Sequence, residues 1–282
     1  MKILIIGLGL IGGSFCKAIT SKTNHTVYGY DLDKSVLDKA LKAGCIEMAL
    51  DPSQFGTADM SVICLPPQAA MRFAEENMKY FAQDSVMFDV CGVKADIVSA
   101  FTVPAHEHKV RYVGAHPMAG REFGGFDYSL GTLFENRSFI VTPTEDSDED
   151  AVSTVISLAK EIGFTRIVST SPKQHDATIA YTSQLAHVVS SAYVKSPTIE
   201  NESGFTAGSF QDMTRIATVN ENMWTDLFME NQKYLLRELD TLIGSLSEYR
   251  NAIRHSDKKT LCELLKEGRL IKEKDLERSS DR

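Results

Sequence analysis

The chain lacks the paired cysteines, the excess positive charge and the long apolar runs that mark several protein classes. Its five cysteines are scattered without a Cys-x-x-Cys pair, which favours reduced thiols in a cytoplasm and gives no metal-site signature. The net charge of −8 argues against nucleic acid or an anionic membrane surface as a partner. No transmembrane span is predicted, since the chain offers no run of ~20 apolar residues beyond an N-terminal segment better explained as a glycine-rich strand and helix.

Two patterns of hydrophobicity divide the 282 residues. Up to residue 169, short β-rich runs alternate with helical stretches, and several runs are continuously apolar, as in a sheet covered by helices on both faces. Strands are predicted at 2–6, 26–30, 60–65, 86–90, 112–115, 138–141 and 166–169, with helices at 67–82 and 147–162. From 170 to 282 helical periodicity dominates. We therefore predict a doubly wound, Rossmann-type α/β domain over 1–169 and an all-α domain over 170–282.

A glycine fingerprint, Gly7-x-Gly9-x-x-Gly12, follows the first predicted strand and opens a helix. The glycines permit a tight turn, a close approach to a pyrophosphate and close helix packing. Asp31 closes the second strand, where a carboxylate can bind ribose hydroxyls and would repel a 2′-phosphate. These features predict NAD as the cofactor. The other predicted cofactor-binding residues are Leu8, Ile11, Leu65, Pro66 and Gly92.

His116 lies in the segment GAHPMAG (114–120), directly after a predicted strand. Ligands of α/β enzymes bind beyond the carboxyl ends of the strands, and an imidazole there can act as a general base. A histidine in a loop can equally do no more than bind a backbone carbonyl. The residue alone leaves both readings open.

Three further clusters accompany His116. The turn at 89–94 ends a predicted strand close to where a nicotinamide would lie. A helical stripe beyond Pro172 carries polar side chains, namely Asp176, Ser183, Gln184 and His187. Arg215 lies in a mostly apolar helical segment and needs an anion, which is either Asp212 one turn away or a ligand carboxylate.

In this combination and order, the segments resemble prephenate dehydrogenases, the NAD(P)-dependent enzymes of tyrosine biosynthesis, over essentially the whole chain. The matching segments are 7–14, 89–94, 114–120, 171–176, 183–187 and 212–217. The resemblance implies oxidative decarboxylation of prephenate to 4-hydroxyphenylpyruvate, carbon dioxide and NADH. It also implies that His116 is the catalytic residue that takes the proton of the 4-hydroxyl.

The resemblance assigns further roles and shows two departures. Arg215 would hold a substrate carboxylate, His187 would orient the substrate, and Glu122 would lie near the pocket mouth. Many family members carry serine at the position of Gly92, where its hydroxyl assists the catalytic histidine. The family's SHLPH motif reads SQLAH here, and we interpret Gln184 as a substrate-binding residue that tunes specificity.

Other functions stay open at this point. Arogenate dehydrogenase uses the same chemistry on the amino analogue of prephenate, whereas a β-hydroxyacid dehydrogenase shares only the domain plan. An NAD-binding regulatory protein with a degenerate pocket is the alternative that is not an enzyme. We expect a homodimer formed by the C-terminal helices, since the family dimerises there and the apolar stripe from Trp224 to Leu246 needs a partner surface. The charged end, 272–282, is expected to fray.

Overall fold

One mixed sheet organises the first part of the chain in this computed structural model, which describes residues 1–121 and 123–280. The strands are β1 (Lys2–Ile6), β2 (Thr26–Tyr30), β3 (Met48–Ala49), β4 (Met60–Ile63), β5 (Val86–Asp89), β6 (Arg111–Pro117), β7 (Ser138–Val141) and β8 (Arg166–Ser169). Their order is β3-β2-β1-β4-β5-β6-β7-β8, and each neighbouring pair is parallel except β6 with β7. The predicted doubly wound α/β fold is confirmed.

Helices cover both faces of this sheet and explain its continuously apolar strands. They are α1 (Leu10–Lys22), α2 (Lys34–Lys42), α3 (Pro67–Asn77), α4 (Ala95–Glu107) and α5 (Glu149–Glu161). On one face α1 and α5 bury Phe15 and Val155 with Ile5 of β1. On the other face α4 buries Phe101, in the same cluster as Leu4 of β1. Because neighbouring residues of β1 point to opposite faces, both must be apolar.

The predicted strand boundaries agree with the structure to within two residues, but two differences matter. The short strand β3 was not predicted, because two residues are too few to show a periodicity. β6 runs on to Pro117, so His116 lies within a strand and not in a loop behind it. The predicted helix at 67–82 ends as an α-helix at Asn77, and a 3₁₀ turn follows it.

Beyond β8 the described chain is helical, as predicted. Its helices are α6 (Pro172–Ile179), α7 (Leu185–Tyr193), α8 (Gly208–Thr214), α9 (Glu221–Glu230), α10 (Gln232–Arg254) and α11 (Lys258–Ser280), with a π-helical turn (Ala180–Gln184) between α6 and α7. Two expectations are wrong. The long helical stretch predicted to start at Trp224 is interrupted at Asn231, whose backbone leaves helical geometry at φ −114° and ψ 23°. The charged end remains helical as far as Ser280.

The contacts of the chain divide it into two compact units, Met1–Gln232 and Lys233–Arg282. In the second unit, the Tyr249 hydroxyl of α10 donates a hydrogen bond to the Leu264 carbonyl of α11 at 3.1 Å. The described helices include none that is both long enough and apolar enough to cross a membrane.

The close packing of α1 on β1 predicts the effect of a single methyl group. A Cβ at Gly12 would overlap the carbonyl oxygen of Gly7, whereas one at Gly9 would meet no atom within 4 Å. We expect Gly12→Ala to lower the free energy of unfolding by about 3 kcal/mol, because backbone must move. Gly9→Ala, the matched control, should stay within ~0.5 kcal/mol of the parent. Urea unfolding measures both, and equal losses in the two variants would contradict this packing.

Candidate active site

The fingerprint loop between β1 and α1 has the geometry of an anion-binding turn. Gly7 adopts a φ of +85°, and a Cβ there would lie 2.7 Å from the Cys64 carbonyl oxygen. α1 begins at Leu10 with Gly9 as its N-cap and without a side-chain cap, which leaves first-turn amides available to a phosphate. The open space at Gly9 would admit a pyrophosphate, so the residues present fit a dinucleotide.

Asp31 is fixed at the end of β2 by two backbone amides. Its Oδ2 accepts from the Leu8 amide at 2.7 Å, and its Oδ1 accepts from the Asp33 amide at 2.9 Å. Each carboxylate oxygen keeps a second lone pair for a ribose hydroxyl. Asp33, and not Asp31, caps α2, because its side chain accepts from the Ser35 amide.

Two more predicted cofactor neighbours, Leu65 and Pro66, follow β4. A Cβ at Gly7 would lie 2.8 Å from Leu65 Cδ2, so Leu65 packs against the fingerprint. Ile11, in the first turn of α1, is partly buried against the core on the face that α1 shares with α5. The structure therefore gathers these predicted cofactor residues at the carboxyl ends of β1 and β4.

His116 is held by a histidine that the sequence prediction missed. The Nδ1 of His116 lies 2.9 Å from the Nε2 of His175, at the start of α6. His175 Nδ1 in turn lies 2.7 Å from the Oδ1 of Asp176. His175 belongs to the matching segment 171–176, but the predicted stripe of polar side chains included its neighbour Asp176 and not His175.

This arrangement determines which ring nitrogens carry hydrogen. An ionised Asp176 can only accept, so Nδ1 of His175 is the donor and its Nε2 is an acceptor in the neutral ring. His116 must then donate from Nδ1, which leaves its Nε2 as a bare lone pair. The chain of hydrogen bonds thus presents a neutral base at a defined atom.

Asp176 is itself anchored to the turn that follows β5. Its Oδ1 accepts from the Lys94 amide and its Oδ2 from the Ala95 amide, both at 2.8 Å. The wholly buried Lys94 ammonium pairs with the buried carboxylate of Asp89. Tyr112 donates its hydroxyl to the other Asp89 oxygen at 2.6 Å. Buried charges therefore fix the turn that orients the relay, the hydrogen-bonded series Asp176, His175 and His116.

Electrostatics keep both imidazoles neutral. Burial lowers the pKa of His116 well below its ordinary range, and the neighbouring His175 and the Lys94 ammonium lower it further. Burial also lowers the pKa of His175, against the opposing effect of Asp176. A base must be unprotonated to act, so these shifts favour catalysis at neutral pH.

Gly92 faces the free nitrogen of His116. A Cβ at Gly92 would lie 4.0 Å from His116 Nε2 and 3.4 Å from Leu227 Cδ2, which are ordinary contacts. The turn therefore leaves room beside Nε2.

His187, at the start of α7, lies on the aromatic surface of α9. Its ring centroid is 3.8 Å from that of Trp224, and its Nδ1 donates to the Ile216 carbonyl at 3.0 Å. Burial lowers the pKa of His187, the Ile216 carbonyl opposes this shift, and the charge of Arg215 adds to it. Arg215 is exposed and begins a 3₁₀ turn (Arg215–Ala217), close enough to His187 for its charge to act on the imidazole.

Gln184 is buried. It is 2% exposed, its Nε2 donates to the Leu227 carbonyl at 2.9 Å, and its Oε1 accepts from Asn231 at 2.7 Å. Both ends of the amide therefore bind protein groups in this structure, and the substrate-binding role of Gln184 stays a prediction. Glu122 lies outside the described residues.

The first turns of the predicted apolar stripe pack against their own chain near the site. Trp224 packs on His187, and the side chain of Leu227 lies against Gly92. Within the described residues, no group of three or more His, Cys, Asp or Glu side chains could hold a metal ion. The hydrogen bonds through His175 and Asp176 equip His116 for proton transfer.

Comparison with known proteins agrees with this geometry. The family model described as prephenate dehydrogenase, nucleotide-binding domain, matches residues 15–168. The model described as prephenate dehydrogenase, dimerization domain, matches residues 171–267. A cyclohexadienyl dehydrogenase of Zymomonas mobilis is 32% identical over 279 residues, which cover 94% of this chain and 93% of that protein.

Solved structures show the same similarity. A prephenate dehydrogenase from A. aeolicus, in complex with hydroxyphenyl propionate and NAD+, superposes with a TM-score of 0.85 at 27% identity, covering 97% of this chain and 98% of that one. A Synechocystis arogenate dehydrogenase superposes with a TM-score of 0.81 at 27% identity, covering 97% of this chain and 99% of that one.

The lowered pKa values of the relay make unfolding depend on pH. As pH falls through ~6.5, unfolded histidines take up protons while His116 and His175 in the folded chain stay neutral. The free energy of unfolding should therefore fall with pH below ~6.5, by up to ~1.4 kcal/mol per unit and ring.

The double variant His116→Asn/His175→Asn should lose less stability between pH ~7.5 and ~5.5 than the parent. His106→Asn, at an exposed histidine of α4, is the control and should follow the parent curve. Urea titrations at each pH measure the difference, and identical curves for all three proteins would refute a histidine pair that stays neutral in the folded chain.

Proposed function

Because the chain belongs to the prephenate dehydrogenase family, we propose that it catalyses the NAD-dependent oxidative decarboxylation of prephenate to 4-hydroxyphenylpyruvate, carbon dioxide and NADH. The observation that carries the proposal is the chain of hydrogen bonds from Asp176 through His175 to His116, which leaves Nε2 of His116 without a hydrogen. It lies in the same compact unit as a loop built to receive a dinucleotide.

The chemistry follows from this atom. His116 Nε2 accepts a hydrogen bond and then the proton from the ring hydroxyl of prephenate. Bound NAD+ would supply the acceptor for the hydride that leaves the carbon carrying this hydroxyl. The bond to the ring carboxylate then breaks, its electron pair makes the ring aromatic, and carbon dioxide leaves. His116 returns its proton to the phenolate oxygen.

The proton balance of these steps explains why a base oriented by His175 and Asp176 suits the reaction. The net reaction releases no proton, since one proton leaves the hydroxyl for His116 and one proton is gained by the phenolate. His175 and Asp176 keep His116 Nδ1–H in place and stabilise the imidazolium while it exists. Since aromatisation supplies driving force, positioning and polarisation are the protein's main contributions.

We assign the binding of the substrate carboxylates to the helical region after β8. Arg215 offers a guanidinium suited to bidentate carboxylate binding, and His187 orients the substrate from α7. The charge of Arg215 lowers the pKa of His187, and this interaction between the two side chains supports a joint role. For Glu122 we keep the role near the pocket mouth that the resemblance implies.

Arogenate is the second candidate substrate. The relatives include a Synechocystis arogenate dehydrogenase and a cyclohexadienyl dehydrogenase, and the proposed proton transfer is the same for both substrates. Asp31 supports NAD over NADP, because its carboxylate occupies the position that a 2′-phosphate would approach. The intact relay argues against a degenerate pocket with a purely regulatory role.

We also propose a cytoplasmic homodimer. The description of residues 171–267 as a dimerization domain supports it. In the second unit α10 exposes the apolar side chains Leu236, Ile243, Leu246 and Ile253, which suit burial against a second copy. The scattered cysteines are consistent with a reducing compartment.

NADH formation monitored with prephenate or arogenate, and with NAD or NADP, tests the activity. Removing the base in His116→Asn should lower kcat about 10²–10⁴-fold, with NAD binding unchanged. His106→Asn is the matched control and should retain the parent rate. A rate within a few-fold of the parent in His116→Asn would show that the base is misassigned.

Substitution of Gly92 tests whether the hydrogen bond from His116 Nδ1 to His175 is sufficient to orient the base. Gly92→Ser fits without a clash and puts a hydroxyl beside His116 Nε2, so we expect kcat to change less than ~10-fold. His175→Leu removes the partner of Nδ1 and should lower kcat about 100-fold. If the serine raises kcat more than His175→Leu lowers it, the relay is not the main orienting device.

A further inference from the structure

The relay lies beside an unusual piece of helix. The π-helical turn Ala180–Gln184 separates α6, which carries His175 and Asp176, from α7, which carries His187. A π turn is rare, displaces the regular backbone bonding and persists where other contacts stabilise it; such turns occur frequently at functional sites. The turn therefore sets the offset between the helix that carries His175 and Asp176 and the helix that carries His187.

Asn231 bridges the last residue of this turn and the helix α6 that precedes it. It lies between α9 and α10 and is only 3% exposed. Its Nδ2 donates to the backbone carbonyl of Asp176 at 2.9 Å and to Oε1 of Gln184 at 2.7 Å. Both hydrogens of the amide are thereby used. Gln184 continues the connection to the Leu227 carbonyl of α9.

Asp176 is consequently held from two directions. The amides of Lys94 and Ala95 bind its carboxylate, and Asn231 binds its carbonyl. The carboxylate can orient His175 only if the backbone at this residue stays in place, since both groups belong to one residue. A movement here would be transmitted directly to the His175 ring.

We propose that Asn231 is a positioning residue for the base: its amide holds the π turn in register and so maintains the hydrogen bond between His175 and His116. The effect on rate rests on the proposed function, whereas the effect on the histidine pair does not. Asn231 acts through Asp176 and His175, so it should affect kcat more than the KM for prephenate.

Two substitutions remove the donors with little change of shape. Asn231→Leu cannot form hydrogen bonds, and Asn231→Asp presents an acceptor to two acceptors. The control is Asn220→Ala, which removes the N-cap of the same helix α9, where the side chain accepts from the Met223 amide at 3.0 Å. The control weakens α9 without touching the relay.

The first measurement is nitrogen NMR of ¹⁵N-histidine-labelled protein, which reads the protonated nitrogen of each ring. The parent should show His116 protonated at Nδ1 and bare at Nε2. Asn231→Leu and Asn231→Asp should show a mixture of tautomers at His116, and Asn220→Ala should match the parent. If Asn231→Leu does not fold, Gln184→Met, which removes one acceptor of Asn231, should give a smaller shift of the same kind.

The second measurement is the steady-state rate of NADH formation. Both Asn231 variants should lose roughly 10- to 100-fold in kcat with KM changed less than ~3-fold, as expected for a small misplacement of the base. Parent tautomers together with a parent-like kcat in Asn231→Leu would overturn the proposal. So would equal losses of kcat in Asn231→Leu and Asn220→Ala with the tautomers intact. If the parent forms no NADH, the proposed function fails and the NMR result alone decides the positioning role.

Discussion

The carboxylate of Asp176 connects the parts of the structure on which the chemistry depends. It accepts two backbone amides from the turn after β5, and it fixes the Nδ1 of His175. Without an acceptor at this point, the protonated nitrogens of the two histidines would not be defined. The position of the proton, and hence the basicity of His116 Nε2, follows from this one anchored carboxylate.

The sheet and the helices contribute different parts of the site. The strand ends provide the dinucleotide loop, the turn with its buried Asp89–Lys94 pair, and His116 itself. The helical region provides the second histidine, His187 and the aromatic surface of Trp224. The two parts meet at the base, because Asp176 of α6 accepts the amides of the turn after β5 and His175 of α6 contacts His116.

Much of the fold and the cofactor loop could be predicted, because their signals are local. Strand runs buried on both faces and the spacing of Gly7, Gly9 and Gly12 are visible in the sequence. The relay could not be predicted in the same way. His175 is separated from His116 by 59 residues, and only tertiary packing brings their rings together. The hydrophobic periodicity likewise gives no indication of the break at Asn231, because one polar residue hardly alters an apolar stripe.

If Nε2 of His116 faces the reacting hydroxyl, a crystal structure of this chain with NAD+ and 4-hydroxyphenylpyruvate should show it. We expect the phenol oxygen to lie ~2.6–3.2 Å from His116 Nε2, with Nδ1 still bound to His175. A phenol oxygen held by another side chain, with His116 turned away from the ligand, would contradict it.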